Sequence, residues 1–190
     1  MPRVDATASC LIRRAIRQEI PEIERIVLAA FEQFRGEAPP VMFEAYLEKS
    51  RNIAAHWDDA EVLVAEARGR IAGTVTFYAD ASTQGVGLPG DWAGFRTLAV
   101  QPDARGHGVG RAMVQRCIDT TRVLGMSTVA LHTTAFMTTA CRIYESIGFR
   151  RCPEHDYRAS TSLGIAQAPG EVAVMAYRLD LTSPTLQRNG

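Results

Sequence analysis

Lysine is nearly absent from this chain. Lys49 is the only one, and no function is read from that scarcity. A run of about 18 consecutive apolar residues is also missing, which excludes a membrane-spanning helix. Neither charge sign is in excess: 21 acidic and 21 basic residues leave a net charge of +0. A general nucleic-acid binder needs a basic surplus to displace counterions, so that class is excluded too. The short arginine pairs Arg13–Arg14 and Arg150–Arg151 read as solvated strand ends. Cysteine is sparse. Cys10, Cys117, Cys141 and Cys152 show no C-x-x-C spacing and none is read as standing at zinc-ligand spacing from a histidine. Buried free thiols and no metal are therefore expected. Met1 to Ser9 lacks the basic start, apolar middle and small-residue cleavage site of a secretory leader, so a cytoplasmic location is expected. Internal repeats and low-complexity blocks are lacking as well.

What is present is a chain of 190 residues with 46% hydrophobic content, enough for one domain with a substantial core. The domain is expected over residues 1–181, with 182–190 as a flexible tail. Ile20, Ile23, Val27, Ala30, Phe31 and Phe34 recur at helical spacing, and Pro21 suits a first turn. Phe43 to Trp57 predicts a second amphipathic stretch. Glu61–Arg68 and Ile71–Tyr78, joined at Gly69-Arg70, read as a β-hairpin. Strands are expected at 10–14, 95–100, 127–133, 149–152 and 172–180, and helices at 110–124 and 138–147. Gly125 and Gly148 stand at the two helix stops. Alternating strands and helices in the second half imply a central sheet with helices on its faces.

The chemistry concentrates between Phe95 and Phe149. A β-branched strand runs into Pro102 and then into Arg105-Gly-His-Gly-Val-Gly110, which opens a helix. Alternate glycines let a ligand approach the backbone. The helix start offers unpaired N–H groups and partial positive charge, a place for a pyrophosphate. A dinucleotide fingerprint would need glycine at Arg111, and a P-loop would need a lysine that no glycine here precedes.

Leu98-Ala-Val100, Pro102 and the R-G-x-G-x-G turn resemble the acetyl-CoA motif of the GNAT superfamily. Downstream, Ala140 to Phe149 is similar to its A-x-x-x-Y-E-x-x-G-F helix. The resemblance implies an α/β (α+β) fold: a mixed, mostly antiparallel sheet of about seven strands with helices on both faces, its two central strands splayed. It implies an acyltransferase that moves acetyl from acetyl-CoA to a primary amine by direct attack in a ternary complex. Leu98, Ala99 and Val100 would pair with the pantetheine arm through their backbone. Arg105, Gly106, His107, Gly108, Val109 and Gly110 would hold the pyrophosphate, with Arg111 opening the helix. A main-chain N–H near Val100 would serve as oxyanion donor. Tyr144 would be the general acid, since a phenol with a pKa near ~10 stays protonated at neutral pH.

The strand ahead of the turn departs from the pattern. Gly94 and Arg96 fall where a glutamate or histidine base is often found, and neither accepts a proton. The proton would then leave through water or to a base from elsewhere: His132, which also reads as a structural residue, or Glu154 or Asp156. His107 reads as a surface residue, and His56 and His155 carry no message. Glu154 and Asp156, in the long connection 153–170, are the candidate acceptor-binding residues and would draw a cationic amine. The acceptor is expected to be a small molecule or a peptide amine. A second copy of the chain as partner is left open. The same residues also admit a non-catalytic acyl-CoA sensor or an enzyme using a longer acyl group.

Overall fold

The computed structural model describes residues 10–165 and 170–181; the stretch 182–190, expected to be a tail, lies outside the described residues. Eight strands form one sheet. They are β1 (Leu11–Arg14), β2 (Glu61–Ala67), β3 (Arg70–Tyr78), β4 (Ala93–Val100), β5 (Thr128–Thr134), β6 (Arg150–Arg151), β7 (Tyr157–Arg158) and β8 (Ala173–Asp180). Their order is β1-β2-β3-β4-β5-β8-β6, with β7 also paired to β8. Every pairing is antiparallel except β4 with β5. The expected mixed sheet is present, with an eighth strand because β6 and β7 are two-residue pieces on the same edge.

The hairpin strands are apolar almost throughout because both faces of the sheet are covered. Along β2, Leu63 and Ala65 join one core and Val62 and Val64 the other, as the two-residue strand period requires. Helices α1 (Ile20–Phe31) and α2 (Pro40–Arg51) bury Ile23, Ile26, Val27, Phe31, Phe43 and Leu47 on one face. Helices α3 (Val109–Val123) and α4 (Thr138–Ile147) cover the other with Met113, Val114, Cys117, Ile118 and Tyr144. A ring-sized side chain such as Phe77, 2% exposed, contributes roughly 1.5–3 kcal/mol by its burial. Gly148, at φ 111°, ends α4 in the left-handed region at the position the sequence predicts.

Two irregularities position the site. First, β4 and β5 pair only at Ala93↔Val129, Gly94↔Ala130 and Phe95↔Leu131; past that point they part. Second, β4 bulges. Thr74 opposes Ala99 and Thr76 opposes Arg96, so one residue of β3 faces two of β4, Thr97 and Leu98. Thr97 has φ 53°, a conformation that costs a β-branched residue free energy and that recurs at functional sites. The connection after β6 is also more regular than its composition suggests. It holds a 3-10 turn at Pro153–His155, β7 and a short helix α5 (Ala159–Leu163).

Candidate active site

The parting of β4 and β5 opens a cleft of about 460 Å³. Its floor is Phe95, Arg96, Thr97, Leu98 and Val100 from β4 and Leu131, His132 and Thr133 from β5. The Arg105–Gly110 turn and the start of α3 form one end, and Ala140, Ile143 and Tyr144 of α4 form a wall. A second, smaller chamber of about 90 Å³ shares Phe34, Tyr46, Arg96, Thr97, His132, Thr133 and Met137 with the cleft, so the two spaces meet where the strands separate.

Eight of the ten residues expected to hold the cofactor line the cleft: Leu98, Val100, Arg105, Gly106, Gly108, Val109, Gly110 and Arg111. Ala99 does not, because the bulge turns it into the core under α1, where it is 1% exposed. His107 points the other way, beside Arg70 and Asp103, with Nδ1 bonded to the Arg105 carbonyl at 2.8 Å. Beyond Phe95 the β5-facing side of β4 has no strand partner, leaving backbone donors and acceptors free for an extended ligand. Arg105 is tied to the Ala30 carbonyl and Gln33, and Arg111 to Ser146. No Asp or Glu lines the cleft.

The glycines act differently from one another. Gly106 and Gly108 both have φ 78°, in the left-handed region, and a Cβ on either would meet nothing within 4 Å. The turn therefore needs glycine for its backbone path, and the space over it is open to a ligand. Gly110 already lies in α3, where a Cβ would make ordinary 3.6 Å contacts with Ile143 and Val100.

Tyr144 is 5% exposed, with its ring 5.9 Å from both Phe95 and Phe149. Burial raises its pKa, so the phenol carries its proton at neutral pH.

His132 is placed by an asymmetric set of contacts. Nε2 lies 2.9 Å from the backbone carbonyl of His155. A carbonyl only accepts, so Nε2 carries the hydrogen and Nδ1 keeps its lone pair. Nδ1 is buried and has no partner among the described residues. Burial, first, lowers the imidazole pKa below the ordinary 6.5, so the ring is neutral at pH 7. The neutral ring lines both cavities with its tautomer fixed, and it can accept a proton once a small turn of the side chain uncovers Nδ1.

Glu154 and Asp156 are not brought to either cavity. Asp156 takes two bonds from Arg151, at 2.9 and 2.7 Å, and a third from the Ala176 N–H at 2.7 Å. The guanidinium holds its carboxyl below the usual carboxylate range. Asp156 thus buckles the 153–158 segment onto β8, which sets the His155 carbonyl against His132. Glu154 is solvent-exposed, and its neighbours are Cys152 and His155. Those three side chains gather within 4.8 Å, so one cysteine does approach a histidine, contrary to the spacing argument. Burial and Glu154 push the Cys152 thiol up to about 11, and His155 Nδ1 is 2.9 Å from the Gly87 carbonyl. The thiol would have to lose its proton and the ring its bond before a metal could sit there.

Sequence reasoning missed Gln84 and Lys49. Gly94 is empty because Gln84 needs the space: a Cβ there would lie 2.2 Å from Gln84 Nε2. Gln84 lines the smaller chamber, and so does Lys49, which donates to the carbonyl and hydroxyl of Ser162 at 3.1 and 3.2 Å. The clue available in the sequence was the pairing of an empty position 94 with a polar residue in the neighbouring glycine-rich loop.

The sequence profile of the Acetyltransferase (GNAT) family matches residues 21–149, and the chain belongs to that family. It is 35% identical over 105 residues to mycothiol acetyltransferase of Cellulomonas flavigena, a match covering 54% of this chain and 30% of that protein. It is 26% identical over 149 residues to IAA acetyltransferase of Azospirillum brasilense, covering 78% of this chain and 86% of that one. The chain thus spans about a third of the length of the first relative and most of the second. Among solved structures, an acetyltransferase of Bacillus subtilis in complex with CoA superposes with a TM-score of 0.65 at 16% identity, over 92% of this chain and 100% of that one.

The contrast between the glycines is measurable by urea unfolding. Gly108→Ala forces an L side chain to φ 78° and should lose about 1 kcal/mol. Gly110→Ala gains helix propensity and should be neutral or stabilising by up to ~1 kcal/mol. Equal losses at both positions would contradict the backbone account of this turn.

Proposed function

We propose that the chain is an N-acetyltransferase that moves the acetyl group of acetyl-CoA to a primary amine by direct attack in a ternary complex. The observation that carries this reading is the junction of cleft and chamber. A protonated phenol lines the cleft, and the neutral His132 ring lines both spaces. The residues present fit acetyl-CoA. The open glycine turn, the α3 N-terminus and Arg105 with Arg111 suit a pyrophosphate. The unpaired side of β4, at Leu98 to Val100, suits an extended amide-bearing arm.

Acetyl-CoA supplies the thioester carbonyl that the amine attacks. This chain's residues do the rest. His132 Nδ1 takes the proton of the attacking amine. The Tyr144 hydroxyl gives its proton to the departing sulfur. Backbone N–H groups of β4 beyond the bulge, left without a strand partner, would donate to the carbonyl oxygen as charge develops on it. Holding both partners at the strand junction turns a bimolecular encounter into an internal one, which supplies much of the rate. Two groups ready to exchange protons favour turnover over a non-catalytic acyl-CoA sensor.

Tyr144→Phe keeps the ring and removes the acid. Its kcat should fall roughly a hundredfold or more while the dissociation constant of acetyl-CoA, measured by calorimetry, stays near that of the parent. Undiminished turnover at saturating substrates would remove Tyr144 from the mechanism.

His132 should show in the pH profile. Its depressed pKa keeps the base unprotonated at pH 7, so His132 should add to kcat/KM an acid limb that lies below about 6.5, apart from the limb set by the amine's own protonation. His132→Gln should be slow throughout and should lose that acid limb. A profile whose acid limb is the same in both proteins would assign the proton transfer to another group or to water.

A further inference from the structure

The chamber that meets the cleft has an uneven charge. Lys49 and Arg96 line it, and none of its lining residues is acidic. Among the described residues neither cation forms an ion pair. The internal stretch 166–169, Ala-Gln-Ala-Pro, contains no acid either. The two cations feel one another: burial and the Arg96 charge both lower the Lys49 pKa. Arg96 also reaches Tyr46, Tyr78, Tyr157, His56 and His132. Asp59, the acid that acts on His56 and Tyr78, lies outside the chamber. Two half-buried cations with no counter-charge are costly to hold, and an anionic ligand offsets that cost.

A second observation points to the same space. Gln84, 8% exposed, and Thr134, 7% exposed, line the chamber, and Gln84 Nε2 and Thr134 Oγ1 are enclosed with no hydrogen-bond partner among the described residues. Buried polar groups in native proteins are nearly always paired, so a polar ligand that makes these side chains turn towards it gives them the partners they lack. Gly94 exists to seat Gln84, as the 2.2 Å clearance shows. Phe34, Met42, Phe43, Phe136 and Leu163 give the chamber an apolar part of its wall.

We propose that the acceptor is a small amino-carboxylic acid with an apolar side chain: Arg96 and Lys49 hold the carboxylate, and the amine is directed to His132 Nδ1. The proposal rests on the acetyl-transfer reading and names its substrate class. Arg96 and His132 line both cavities, which suits a carboxylate and an amine close together on one small molecule. The cations also serve the chemistry. They disfavour an ammonium beside them, so the bound amine loses its proton more readily and becomes the nucleophile. This reverses the cationic acceptor expected from Glu154 and Asp156.

The test uses the full chain with acetyl-CoA and follows release of CoA thiol. Leucine, methionine and phenylalanine are each assayed beside the corresponding carboxamide and decarboxylated amine, with spermidine as a polycation. The acids should exceed their amides and amines in kcat/KM by about tenfold or more. In Arg96→Gln and in Lys49→Met the acid-over-amide ratio should collapse towards one, mainly through KM of the acid. A parental far-UV circular-dichroism spectrum and melting curve would establish that the variants fold. Preference for amides or spermidine, or equal losses for acid and amide in the variants, would overturn the proposal. A binding arm separates it from the catalytic reading. N-acetyl-leucine and its amide are titrated by calorimetry into protein saturated with CoA. Tighter binding of the acid supports the anion site even without turnover; equal affinities, or no binding of either, contradict it. Absence of thiol release with every acceptor, alongside tight binding of the acid, would contradict acetyl transfer and leave the anion site standing.

Discussion

The structure depends on a pairing that stops. β4 and β5 are joined for three residue pairs, from Ala93↔Val129 to Phe95↔Leu131, and then separate. A sheet that abandons hydrogen bonds in its middle leaves backbone groups unsatisfied, which is tolerated where a ligand or water takes the vacated side. The bulge at Thr97–Leu98 and the positive φ of Thr97 are the local distortions that accompany the parting. Both cavities are lined from this gap, and His132 and Tyr144 reach it from β5 and α4.

The charge distribution follows the same division of space. Cleft and chamber are lined by arginine, one lysine and one histidine, with no carboxylate in either. Asp156 in the long connection and Glu171 just after it are spent on local architecture. Asp156 binds Arg151 and the β8 backbone, and Glu171 binds Ser160 at the start of α5. The segment so anchored carries the carbonyl that fixes the His132 tautomer and Ser162, the acceptor for Lys49. An acid outside the site thereby controls which nitrogen of a base inside it is free.

Much of this was legible in the sequence because it rests on local chemistry. The 3.6-residue stripe of α1, the stop at Gly148 and the glycine turn before α3 depend on neighbours in the chain, and they lie where expected. The two-faced burial of β2 was less legible, since a continuous apolar run does not say how many faces are covered. The chamber was illegible. It joins Lys49, Gln84, Arg96, His132 and Ser162, from five separate elements, and no spacing rule links them. Gly94 and Arg96 were recognised as unusual, and their meaning required knowing that Gln84 occupies one and that no acid faces the other. Glu154 and Asp156 were placed near the right segment, but nearness in sequence does not reveal that a carboxylate already has an arginine.

The central claim is that amine and thioester are held together at the strand junction and react directly. Initial velocities measured over a grid of acetyl-CoA and acceptor concentrations test it most directly. Direct attack requires both substrates bound before any product leaves, so double-reciprocal plots should intersect. Parallel lines would mean that the acetyl group first passes to the protein and the first product departs before the second substrate binds, and would contradict the account.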